Sequence, residues 1–287
     1  MGENQLRAFV FLGPTLPVED AEQYLAAEYL PPVAQGDVLR LVSSRPQAIG
    51  IIDGYFDSVP SVWHKEILFA MSRGIHLYGS ASMGALRAAE TAVFGMVGVG
   101  EIFDSLRDGK MEDDDEVVLA HLPAEFGYLP TSEPMVNIRA TVAAAQTASV
   151  ITPAVAEKLV AIAKSLYYPE RRYDLVFRIA AQNGVSATEL SRFQSWLLDG
   201  KVDQKRADAI AMLLRMRADL SRNPTPKQVS YKFEFASECA AMAARAAAKA
   251  SYAESKCRQN DRETRKNSPR GSDASDRPVR GEFLQGR

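Results

Sequence analysis

Apolar and polar positions change their period several times over the first 135 residues. Ala8–Leu12 is an unbroken apolar run closed by Gly13-Pro14, which predicts a first strand. Glu19–Tyr29 has helical spacing and stops before Pro31-Pro32, so a helix is expected there. Asp37–Val42 alternates and reads as a strand. Ala48–Ile52, a short β-branched run ending at Asp53-Gly54, reads as another. Pro60-Ser61 opens a helix that runs to about Arg73, where Gly74 stops it. Ile75–Tyr78 is the next strand, Gly79-Ser80-Ala81-Ser82 a turn, and Met83–Val93 an alanine-rich helix.

Strands that alternate with helices in this way predict an α/β fold, with a largely parallel sheet of the Rossmann or flavodoxin-like kind. The middle of the chain is less regular. Phe94–Gly100 is glycine-rich, Glu112–Glu116 is a run of acids, and Glu116–Leu122 reads as an edge strand. From Val136 the period turns helical, over Val136–Ala148, Pro153–Leu166, Tyr173–Asn183, Thr188–Asp199 and Val202–Arg222. Three regions are expected: an α/β core over 1–135, a helical subdomain over 136–222, and 223–287. In the last, Phe233–Tyr252 is an alanine-rich helix candidate and Cys257–Arg287 has almost no aliphatic residues. Such a segment cannot bury enough apolar surface to offset chain entropy, so it reads as disordered.

Composition narrows the function classes. The chain has 287 residues, 46% hydrophobic and 24% charged, with a formal net charge of −2. That balance gives no ground for broad nucleic-acid or anionic-membrane binding. No apolar stretch approaches the ~18 residues of a membrane span. The start, MGENQLRAFVFLGP, lacks the basic-then-apolar order of a signal peptide, and Leu6 stands where a myristoylation motif needs Ser or Thr. Cys239 and Cys257 form no framework, and His64, His76 and His121 are scattered, so neither disulfides nor zinc are expected. A reduced, cytoplasmic protein without a metal or cofactor is the expectation. Glu112–Glu116 reads as a solvated acidic loop rather than a cation site.

The candidate chemistry lies between Ile49 and Glu90, which reads strand, turn, helix, strand, sharp turn, helix. In a right-handed crossover both strands end at one sheet edge, where open α/β sheets bind ligands. Asp53, His64 and Ser82 are therefore expected to converge there. Ser80-Ala81-Ser82-Met83-Gly84 partly matches the Gly-x-Ser-x-Gly nucleophile elbow, with serine in the first glycine position. The amides of Met83 and Gly84 would open the following helix and could bind an anion or oxyanion. The plainer reading is that Ser80 or Ser82 simply caps that helix, a role worth about 1 kcal/mol. Asp53 could simply belong to an Asp-Gly turn. His64 could accept a proton near neutral pH or rest against a carboxylate such as Glu66 or Asp53. Arg87 pairs with Glu90 along the helix or binds an anion at its mouth. Gly95-Met96-Val97-Gly98-Val99-Gly100 follows a helix and fails as a dinucleotide fingerprint.

The segments Asp53-Gly54-Tyr55-Phe56, Val62–Leu68 and Ser80–Glu90 resemble the core of the TfuA-like family, and Phe11–Leu16 fits its opening strand. The resemblance covers about residues 7 to 145. It implies a partner of a YcaO enzyme, which activates a backbone amide with ATP so that sulfur replaces its oxygen. Substrates would be ribosomally made peptides, trifolitoxin-like ones included, or particular protein sites.

Two functions of different class follow. As a hydrolase, the protein would cleave a thiocarboxylate on a small sulfur-carrier protein and hand sulfide to YcaO. Ser82 would attack or position water, His64 would act as base oriented by Asp53 or Glu66, and Met83 and Gly84 would steady the oxyanion. As a docking or allosteric module, it would join YcaO to a sulfur source without chemistry of its own. A general serine esterase is the weaker third reading.

Overall fold

Strands buried on both faces need only a short apolar run, and this chain supplies such runs. All four residues of β1 (Ala8–Phe11) and of β3 (Ala48–Ile51) are buried. They lie in a sheet with β2 (Glu28–Leu30), β4 (His76–Ser80) and β5 (Val97–Val99), in a computed structural model that describes residues 8–56 and 59–234. The order is β2-β1-β3-β4-β5, and every pairing is parallel. This is the flavodoxin-like order, in which the chain leaves β1 for one side of the sheet and then returns to build the other.

The helices α1 (Val18–Ala21), α2 (Asp37–Val42), α3 (His64–Ser72), α4 (Met83–Thr91) and α5 (Glu101–Arg107) alternate with the strands. On one face Phe11, Ile49, Ile51 and Leu77 pack with Ile67, Ala70 and Met71 of α3. Four further helices, α6 (Met135–Thr147), α7 (Pro153–Ser165), α8 (Tyr173–Gln182) and α9 (Ala187–Gly200), surround a core of their own around Ile138, Leu159, Val176 and Phe193. The next, α10 (Gln204–Ser221), returns to the sheet. Its Ala209, Met212, Leu213 and Met216 pack with Val10, Ala48, Ile52 and Tyr78 on the opposite face. Gly50 makes room for it, because a side chain there would run into Met212 and Met216.

Four expectations are corrected. Asp37–Val42 is helix α2, not a strand: Val38, Leu41 and Val42 are spaced i, i+3, i+4, and those are the positions that meet the core. The helix expected over Glu19–Tyr29 covers only Val18–Ala21, and Glu28–Leu30 becomes edge strand β2. Val97–Val99, inside the glycine-rich stretch, is a strand, because glycine at 98 leaves space for the Phe103 ring. Glu116–Leu122 is not a strand. A single 3-10 turn, Asp114–Glu116, precedes it, and the segment makes one isolated bridge, His121 with Pro130. The alanine-rich stretch from Phe233 runs out of the described residues after 234, and Cys257–Arg287 lies wholly outside them.

Candidate active site

Three strand ends and two helix starts meet at the carboxyl edge of the sheet. The crevice between β1 and β3 is the topological switch point, where sheets of this order bind ligands. Asp53 fills it. Its Oδ2 accepts from the Gly13 amide (2.9 Å) and the Thr15 amide (3.1 Å), and its Oδ1 from the Thr15 hydroxyl (2.6 Å). Asp53 thus supplies the anion that a loop of exposed amides after β1 would otherwise seek.

Ser82 is presented by a strained turn. Ala81 has φ +63°, and the Ser82 amide donates to the Ser80 carbonyl at 2.7 Å. An i to i+2 bond around a positive φ is the rarer, strained γ-turn. The chain then enters α4 pressed tightly on the sheet. A Cβ on Gly84 would overlap the Ile51 carbonyl oxygen, and one on Gly79 would overlap the carbonyl of Gly84. Glycine two places after Ser82 is therefore a packing requirement, the same one that a nucleophile elbow places on its last glycine.

The third member comes from the far end of the chain. Lys205, in the first turn of α10, is 2% exposed. Its Nζ donates to Ser82 Oγ (3.0 Å) and to the Val117 carbonyl (3.0 Å), and lies 3.9 Å from Asp53 Oδ1. Its backbone amide donates to Asn137 Oδ1 (3.1 Å), and Asn137 Nδ2 donates to Asp203 Oδ1 (2.9 Å). Asp203 also caps α10 by accepting from the Arg206 amide (3.0 Å). Burial lowers the Lys205 pKa below the ordinary 10.5, with Asp53 and Asp203 pulling it back up.

Asp53, Ser82 and Lys205 line one cleft of about 600 Å³, together with Pro14, Tyr55, Phe56, Tyr168 and residues of the segment 118–128. The surroundings are largely apolar. Tyr128, from that segment, has its pKa pushed up to about 12 by burial and by its hydrogen bond with Tyr55. A small polar group entering this cleft would meet the Lys205 side chain, the Ser82 hydroxyl at the start of α4 and the Asp53 carboxylate. As the first residue of that helix, Met83 has an N–H without an intrahelical acceptor.

The remaining candidates are placed elsewhere. His64 Nε2 bonds Glu90 Oε2 (2.7 Å), and Glu90 Oε2 also accepts from Arg87 Nη1 (2.6 Å). Arg87 Nε donates to the Val62 carbonyl (2.9 Å), so His64, Arg87 and Glu90 form a half-exposed group on α3 and α4. The structure does not join His64 to Ser82. Glu66 is buried, and its Oε1 accepts from the Gly36 amide (2.8 Å) and the Trp63 amide (3.1 Å), tying together the starts of α2 and α3. Burial pushes its pKa up, against those amides and Arg40. Ser80 is fully buried, with its hydroxyl 2.7 Å from the Val99 carbonyl and 2.9 Å from that of Asp208. It fastens β4 to β5 and α10. The Gly84 amide, expected to serve an oxyanion, donates to the Ile52 carbonyl (3.2 Å). In the acidic run, Asp113, Asp115 and Glu116 lie together, but Lys164 pairs with all three, Arg139 holds Glu116 and Arg171 holds Asp115.

An α/β protein with a flavodoxin-like sheet and a serine–lysine cleft at its switch point is thus defined. Residues 53–172 match the family model described as TfuA-like protein, which bears out the resemblance carried by Asp53–Phe56, Val62–Leu68 and Ser80–Glu90. The chain thus carries a TfuA-like region. Lys205 and the β1 loop lie beyond the matched stretch. No curated protein matches the chain. Among the described residues no helix is long and apolar enough to cross a membrane.

Proposed function

We propose that this protein works in the cytoplasm beside a YcaO enzyme that thioamidates a backbone amide of a ribosomal peptide or protein. Its own step is to release sulfide from the C-terminal thiocarboxylate of a small sulfur-carrier protein. The observation that supports this reading is Ser82, raised on a strained turn beside the buried Lys205 side chain in the switch-point cleft, inside the TfuA-like region. A thiocarboxylate is a small group on a flexible peptide tail, and the cleft brings the Ser82 hydroxyl and the Lys205 side chain together at its wall.

Ser82 Oγ bonds to the thiocarboxylate carbon. The C–S bond then breaks, its electron pair leaves with sulfur as HS⁻, and an acyl-serine remains. Water cleaves that ester and returns the carrier with an ordinary carboxylate. The Met83 amide is the backbone donor available to the developing oxyanion. YcaO, with ATP, activates the target amide oxygen, which the released sulfide replaces.

The test is reconstitution with YcaO, ATP, peptide and thiocarboxylated carrier. Ser82→Ala is expected to abolish thioamide formation from the carrier, and added sulfide is expected to restore it. Full thioamide yield from the carrier with Ser82→Ala would instead favour the docking-module reading.

A further inference from the structure

Ser82 needs a partner that removes its proton, and the geometry points to Lys205, not His64, as that general base, forming a serine–lysine pair that also returns the proton to sulfur. This inference rests on the reading of Ser82 as a nucleophile. The acid–base residues that the sequence offers for this role are engaged elsewhere. His64 is held by Glu90 at 2.7 Å, Glu66 joins two helix starts, and the Asp53 oxygens hold three donors from the β1 loop. Lys205 Nζ is 3.0 Å from Ser82 Oγ, at hydrogen-bonding distance.

The site is built for an amine that can lose its charge. Lys205 stands on the apolar stripe of α10, in register with Ala209 and Met212, and is as buried as they are. As an ammonium it has three N–H groups, for the Val117 carbonyl, Ser82 Oγ and the more distant Asp53 carboxylate. As a neutral amine it fits the same neighbours, with one N–H on Val117 and its lone pair facing the Ser82 hydroxyl. Burial favours the neutral form. The charged groups that face it are Asp53 from the β3 loop and Asp203 just before α10. Glu133 and Lys201, paired with each other, line a small cavity that Lys205 also borders, and His121 and Glu125 line the cleft.

The proton route then closes. Neutral Lys205 takes the Ser82 proton as Oγ bonds to carbon, and gives it to sulfur as the C–S bond breaks, so that HS⁻ leaves. In the second half Lys205 takes a proton from water while the hydroxide bonds to the acyl carbon, and returns it to Ser82 Oγ. The sum is thiocarboxylate plus water giving carboxylate, HS⁻ and one proton.

A carrier-independent probe tests the pair. An alkyl fluorophosphonate bonds to an activated serine oxygen and expels fluoride. Ser82 labelling is expected to rise with pH, with a midpoint above the ~6.5 of histidine and below 10.5. Lys205→Met is expected to slow labelling by about 10²-fold or more, while His64→Ala labels like the wild type. Circular dichroism checks that each variant is folded. If Lys205→Met does not fold, the wild-type and His64→Ala profiles decide alone. A midpoint near ~6.5 that His64→Ala abolishes would overturn the inference, as would a folded Lys205→Met that labels at the wild-type rate, or a Ser82 inert at every pH. Lysine-dependent labelling without sulfide release from the carrier would leave the pair standing and reject the carrier as substrate.

Discussion

Lys205 Nζ reaches Ser82 Oγ at 3.0 Å although 123 residues separate the two in the chain. The contact exists because α10 returns to the sheet after four helices have packed around their own core, and sets its first turn against the ends of β3 and β4. Asp53 and Asn137 then fix the lysine from two sides, one through charge and one through its backbone amide.

The Asp53 charge sets a pH dependence. Asp53 raises the Lys205 pKa against the larger effect of burial. Asp53→Asn keeps the shape of the side chain and removes that charge, so the lysine pKa falls further. The rising limb of Ser82 labelling is expected to move to lower pH in Asp53→Asn. A limb that stays in place would mean that Asp53 does not act on the base.

Close approach at the elbow gives a stability prediction. Gly84→Ala puts a methyl group into the Ile51 carbonyl, which is backbone and cannot swing aside. The cost is expected to be at least about 2 kcal/mol, the range of overpacked cores. Urea unfolding of wild type and variant measures it, and a change within about 0.5 kcal/mol would contradict the packing account.

Glu66 carries a linkage prediction of the opposite kind to most carboxylates. Its pKa in the folded protein is raised by burial above 4.5, so the native state holds the proton longer than the unfolded chain. Its contribution is most favourable at low pH and is lost as pH rises from about 4.5 through the folded value. Glu66→Gln is expected to remove that decline, and to leave Ser82 labelling unchanged because Glu66 joins helix starts rather than the cleft.

The acidic run behaves in the ordinary direction. Burial alone would push Asp115 and Glu116 up, but hydrogen bonds from Lys164, Arg171 and Arg139 hold both below their usual values. Their stabilisation is present above the unfolded carboxylate range and is lost as pH falls through the depressed values. Lys164→Met is expected to lessen this acid-side dependence, seen in thermal melts taken between pH 3 and pH 7.

Parts of this arrangement are legible in the sequence and parts are not, for physical reasons. β1, β3 and β4 are apolar runs bounded by glycine or proline, and α6 to α10 keep an even helical period. Asp37–Val42 reads equally as alternation or as an i, i+3, i+4 face, and the core decides between them. Val97–Val99 hides as a strand because Gly98 has the composition of a loop. Asp53 and Ser82 are legible because both follow strands of one crossover unit. Lys205 is not, since Asp203-Gln204-Lys205-Arg206 looks like a solvated helix start. One signal exists: Lys205 is four residues before Ala209 and seven before Met212, which puts a lysine on the buried stripe. His64 misleads because a histidine early in a crossover helix shares the edge with Ser82, while its ring turns to Glu90 on the neighbouring helix.

The most direct measurement is sulfide release from a purified thiocarboxylated carrier protein, with wild type, Ser82→Ala, Lys205→Met and His64→Ala compared under one condition. Release is expected from wild type and His64→Ala, and is expected to be lost in Ser82→Ala and Lys205→Met. No release by wild type, in an assay that detects added sulfide, or full release by Ser82→Ala, would contradict this expectation.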